Sequence, residues 1–64
     1  MYVIRGKERG WTLTTNDGRG EIEIIFDTVD DARRHMDIRI MTSFLPDDAT
    51  IGMVDKEKNL IKWL

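Results

Sequence analysis

A chain of 64 residues with no cysteine, one histidine and a net charge of −2 has room for one thin core, because folding at this size buries only roughly 60% of the unfolded surface. Disulfides and thiolate zinc sites are excluded, and the slight acidity gives no global attraction to nucleic acid or to an anionic membrane. The apolar residues, 41% of the chain, are interleaved with charge and never form the run of about 18 that a membrane helix needs.

The segment Met1-Tyr2-Val3-Ile4-Arg5 lacks the basic-then-apolar order of a secretion signal, which gives the expectation of a cytoplasmic protein. The same segment alternates as a strand does, with Tyr2 and Ile4 on one side and Val3 on the other. Gly6-Lys7-Glu8-Arg9-Gly10 reads as a hairpin loop bracketed by two glycines. Trp11 to Thr15 is a second strand with Trp11 and Leu13 on one face, and Asn16-Asp17-Gly18 is the strongest turn signal in the chain. Glu21 to Phe26 completes a three-stranded meander, with Ile22, Ile24 and Phe26 facing inward and Glu21, Glu23 and Ile25 outward.

Thr28 followed by Asp31 marks a helix start, with acids in the first turn and Arg33, Arg34 and His35 after them, as the helix dipole favours. Val29, Ala32, Met36 and Ile40 form an apolar stripe at helical spacing that extends the helix to about Met41. The Ile38-Arg39-Ile40 alternation also suits a strand. Pro46-Asp47-Asp48 interrupts whatever precedes it. Thr50 to Val54 and Leu60 to Leu64 then form a hairpin around Asp55-Lys56-Glu57-Lys58-Asn59. The fold class is α+β: a single domain over residues 1–64, order β-β-β-α-β-β, an antiparallel sheet with one helix on one face.

Chemistry-bearing groups are sparse. His35 has no Ser or Cys paired with it by any motif and points away from the apolar stripe, so no catalytic residue is assigned. Asp27, Asp30 and Asp31 are accounted for by the helix start and lack the calcium-loop pattern, so no metal and no cofactor is expected. The glycines lie in hairpins, not between a strand and a helix, which removes a phosphate loop.

Gly10-Trp11-x-Leu13, the Asp17-Gly18 turn and Phe26-x-Thr28-x-x-x-Ala32 together resemble the three-strands-then-helix arrangement of the arm-type DNA-binding domains of phage-type integrases, over residues 10–36. Those domains read DNA with basic and aromatic residues on the open sheet face. Here the matching positions hold Thr12, Thr14, Glu21, Glu23 and Ile25, and carboxylates repel phosphate.

Two features point to a protein partner. The acidic strand-to-helix edge of Glu21, Glu23, Asp30 and Asp31, with apolar Ile25 among them, complements a basic surface such as a nucleic-acid-binding groove on another protein. In Leu60-Ile61-Lys62-Trp63-Leu64, apolar side chains alternate onto both faces, although one helix can cover only one; Ile61, Trp63 and Leu64 are therefore candidate contacts. The expected function is a small non-enzymatic protein-binding module, an inhibitor or adaptor of the phage or mobile-element type. The alternatives are a nucleic-acid-binding accessory domain, using Arg5, Lys7 and Arg9 of the first hairpin with Trp11 and Tyr2 nearby, and a structural subunit that self-assembles as a homodimer through its last strand.

Overall fold

The computed structural model describes residues 1–41 and 45–64. Its order is β1 (Tyr2–Gly6), β2 (Thr14–Asn16), β3 (Glu21–Glu23), α1 (Val29–Met41), β4 (Ala49–Val54) and β5 (Leu60–Trp63), the expected α+β succession. The sheet is divided differently from a meander. β4 lies at the centre of a three-stranded antiparallel sheet in the order β1-β4-β5, and β2 and β3 form a separate two-stranded hairpin. β1 therefore pairs along its length with β4, from Tyr2↔Met53 to Gly6↔Ala49. Its other edge meets residues 11–13 and Phe26 through isolated bridges at Arg5↔Thr12 and Tyr2↔Phe26.

Registered pairs share a face, so the two sides of the sheet can be told apart. Tyr2, Ile4, Gly6, Ala49, Ile51 and Met53 face α1, while Val3, Arg5, Thr50, Gly52 and Val54 face away from it. Ile4, Leu13, Ala32 and Ile51 form the buried cluster on the helix side, with Val29 and Met36 of the predicted stripe packed against it. The stripe's fourth member, the Ile40 side chain, lies outside the described residues. Thr28 Oγ1 accepts the Asp31 backbone N–H at 3.1 Å, which caps the helix start as the sequence suggested. The backbone of residues 38–41 is helical, which decides against a strand at Ile38-Arg39-Ile40: Ile38 is 60% exposed and gains nothing from strand burial.

The third expected strand ends early. Ile24 donates to Leu13 O in line with the hairpin register, and Phe26 then exchanges hydrogen bonds with Tyr2, so the chain leaves the hairpin after Ile24 and attaches to β1 at Phe26. β2 and β3 pack chiefly on each other. Ile22, expected to face inward, is consequently 47% exposed. Ile25, expected to face outward, is half-buried beside α1, because the two-residue alternation stops where the ladder stops.

Candidate functional site

The C-terminal strand carries a register shift. Trp63 pairs with Gly52 and Lys62 with Met53, but Val54 pairs with Leu60, so Ile61 is the extra residue of a bulge. Alternation back from Trp63 and Lys62 puts Ile61 on the face away from α1. A Cβ at Gly52 would meet Leu60 Cδ1 at 2.7 Å and Trp63 Cζ3 at 3.4 Å, which places both of those side chains over Gly52 on that same face. The bulge thus gathers Leu60, Ile61 and Trp63 onto one surface, where strict alternation would have split them. Lys62 and Leu64 take the helix side, with Leu64 N–H bonded to Ile51 O at 2.9 Å.

That surface is apolar and partly open. Val3 and Val54 are sealed beneath it at 0% and 2% exposure, while Met1, Leu60 and Ile61 remain 44%, 39% and 60% exposed and Trp63 is half-buried. Met1 belongs to the patch because its carbonyl accepts the Val54 N–H at 2.9 Å, continuing the β1–β4 ladder by one residue. Sequence alternation could not find the patch, since it depends on where the bulge falls.

The expected acidic edge is divided between two places. Glu23 is committed to Arg5: Nε to Oε2 and Nη2 to Oε1, each at 2.9 Å, while Nη2 also donates to Lys58 O at 2.8 Å. Arg5 alternates with Ile4, so this ion pair lies on the face away from the helix and ties the β2–β3 hairpin to the β4–β5 turn. Burial alone would raise the Glu23 pKa, but hydrogen bonds from Arg5 and Thr12 and the charges of Arg5 and Lys58 outweigh it and hold the carboxyl below its ordinary value. Glu21 is exposed near the hairpin tip.

Asp30 and Asp31 are exposed in the first turn of α1. There Ile25, Phe26 and Asp27 face Asp31, Arg34, His35 and Ile38 across an open groove of about 350 Å³. Asp31 and Ile25 are therefore together, and Glu23 is not with them. His35 does not point freely outward as its helix position suggested. Its ring lies 5.3 Å from that of Phe26, tilted by 56°, and its Nε2 accepts the Arg39 Nε–H at 3.1 Å. Burial and then the Arg39 charge hold its pKa below the ordinary imidazole value, so it is neutral at pH 7.

The first hairpin is held by a residue that sequence reading treated only as part of a break. Asp48, 9% exposed, accepts the Trp11 indole N–H at 2.9 Å and the Arg9 backbone N–H at 3.0 Å, while its carbonyl accepts the Lys7 N–H at 3.0 Å. Burial alone would raise its pKa, but the Trp11 indole N–H and the backbone N–H groups of Arg9 and Glu8 more than offset it and hold the carboxyl below its ordinary value. Trp11 is thereby drawn into the core and Arg5 is held by Glu23, leaving Lys7 and Arg9 as the hairpin's exposed cations.

Comparison with protein-family models, curated proteins and solved structures finds no match for this chain. Among the described residues there is no grouping of three or more His, Cys, Asp or Glu side chains placed to hold a metal, and no helix long and apolar enough to cross a membrane. The features from which function can be argued are the apolar face around Trp63 and the groove at the start of α1.

Proposed function

We propose that this chain is a non-enzymatic protein-binding module acting in the cytoplasm, an inhibitor or adaptor of the kind that phage and mobile elements encode, which works by covering a surface of another protein. The observation that supports this reading is the clustering of Met1, Leu60, Ile61 and Trp63 on the sheet face that α1 does not cover. A patch of large apolar side chains around an indole is the usual composition of a protein contact. A bulge at Ile61 and a cation at Lys62 are also devices that discourage edge-to-edge strand pairing, so the side chains of this face, not the strand edge, carry the contact.

Replacing Ile61 with a photo-crosslinking phenylalanine tests the reading in cells, with the same replacement at exposed Lys7 as control. A defined protein adduct at position 61 that survives nuclease treatment and is absent at position 7 is the expected outcome. No adduct above the control, or one that disappears with nuclease, rejects the proposal; an adduct with a second copy of the chain identifies the structural-subunit alternative.

A further inference from the structure

Resting on that reading, we infer that the groove between residues 25–27 and the first half of α1 receives a lysine or arginine side chain of the partner, its methylene stem against Ile25, Phe26 and Ile38 and its charged head at Asp27 and Asp31. The shape suits such an occupant. About 350 Å³ is room for one long side chain and some water, and the groove is open along its length, as a contact with a protein segment requires. The Phe26 ring is tilted at 56° to that of His35, and Ile38, 60% exposed, adds apolar surface to the groove wall.

The charges select the sign. Among the described residues, neither Asp27 nor Asp31 is in an ion pair, since the pairs present are Arg5–Glu23 and Arg9–Asp47. Among the described residues Arg34 is the one cation lining the groove and His35 is neutral, while Asp30 and Arg33 belong to the same stretch of α1 without lining it. A lysine or arginine satisfies both halves of such a site, because its stem covers apolar surface while its head stays at the polar rim. A carboxylate would meet two unpaired acids, and a purely apolar residue would leave them without a partner while drying their surroundings.

A peptide titration followed by amide NMR shifts tests this directly, with acetyl-Leu-Lys-Leu-amide as probe and acetyl-Leu-Glu-Leu-amide as control. The lysine peptide is expected to move the amides of Ile25, Asp27, Asp31, His35 and Ile38 in a saturable way, and the glutamate peptide to leave them unmoved. Neutralising the rim with Asp27→Asn and Asp31→Asn should weaken the lysine peptide about fivefold, the sum expected for two exposed charge contacts. Ile38→Ser should weaken it without altering its salt dependence. Both variants change exposed side chains, and a retained wild-type shift pattern elsewhere verifies the fold. Equal response to the two peptides, no shift in the groove, or unchanged affinity in the doubly neutralised variant overturns the inference. Those results leave crosslinking at position 61 untouched, so the groove and the binding-module reading fail separately.

Discussion

The two tryptophans lie on opposite faces of one sheet, each against a glycine, and they differ in what else holds them. A Cβ at Gly6 would fall inside the Trp11 indole, 2.7 Å from its Cε2, and the indole N–H is fixed at 2.9 Å to the buried Asp48 carboxylate. Trp63 lies over Gly52 at ordinary contact distance, shares the place with the tip of Leu60, and has no hydrogen bond from its indole among the described residues. Trp11 belongs to the main cluster with Ile4 and Leu13, while Trp63 has exposed Leu60 and Ile61 beside it. An indole fixed by shape and a buried polar partner serves the fold; one resting on the sheet with an open apolar rim remains available for a second surface.

The sharpest way to break this distinction is to add one methyl group at each glycine. Gly6→Ala has no room to relax, because the indole cannot shift without releasing Asp48. It is expected to cost about 2 kcal/mol in urea unfolding. Gly52→Ala meets chiefly the end of a flexible, 39% exposed leucine, which can turn aside. Its cost should stay within about 0.5 kcal/mol, helped by the lower entropy of the unfolded alanine chain. Equal losses at the two positions would mean that Trp63 is as firmly built in as Trp11.

Arg5 and Glu23 extend the comparison to the face that Trp63 covers, where the fixed element is an ion pair. The folded-state pKa of Glu23 is lowered, so its contribution is fully present above the ordinary glutamate value of about 4.3 and is lost as the pH falls through the lower folded value. Glu23→Gln is expected to cost about 1 kcal/mol at pH 7, a modest figure because the pair is partly open to solvent. It should also flatten the acid limb of a stability profile below pH of about 4.3. A variant that loses stability equally at pH 7 and at pH 2 would show that shape, not charge, is what Glu23 supplies.

Much of the fold was legible because it rests on short-range signals. The Thr28 cap, the Asn16-Asp17-Gly18 turn, with Asn16 Oδ1 accepting the Gly18 N–H at 2.9 Å, and the turn after Val54, with Asp55 Oδ1 accepting from Glu57 and Asn59, all follow from local side-chain chemistry. What was not legible depends on distant partners. Glu23 and Ile22 share a β-strand with no local signal saying that one is claimed by Arg5, 18 positions away, and that the other stays 47% exposed. Asp48 lies 37 positions from the indole it holds, and its role follows from tertiary placement alone. The candidate site was half legible: the apolar excess at residues 60–64 is a composition signal, but its collection onto one face follows from a one-residue bulge that composition does not encode.

The smallest expected effect on stability is the one that bears most on function. Ile61 is 60% exposed at the bulge and is not among the residues that close the cluster of Ile4, Leu13, Ala32 and Ile51, so Ile61→Ser should change unfolding free energy by no more than about 0.5 kcal/mol. Trp63→Ala, which uncovers Gly52 and the region over Val3, should cost more. If the open face is the contact surface, the two variants separate binding from folding. Ile61→Ser, measured by urea unfolding and by retention of the crosslinked partner, keeps the fold and weakens the complex, since apolar area removed from water on association is lost without any compensating change in the free chain. If the face is only a cover for the second side of the sheet, binding should follow stability across both variants, and Ile61→Ser, which scarcely alters stability, should bind as the unaltered chain does.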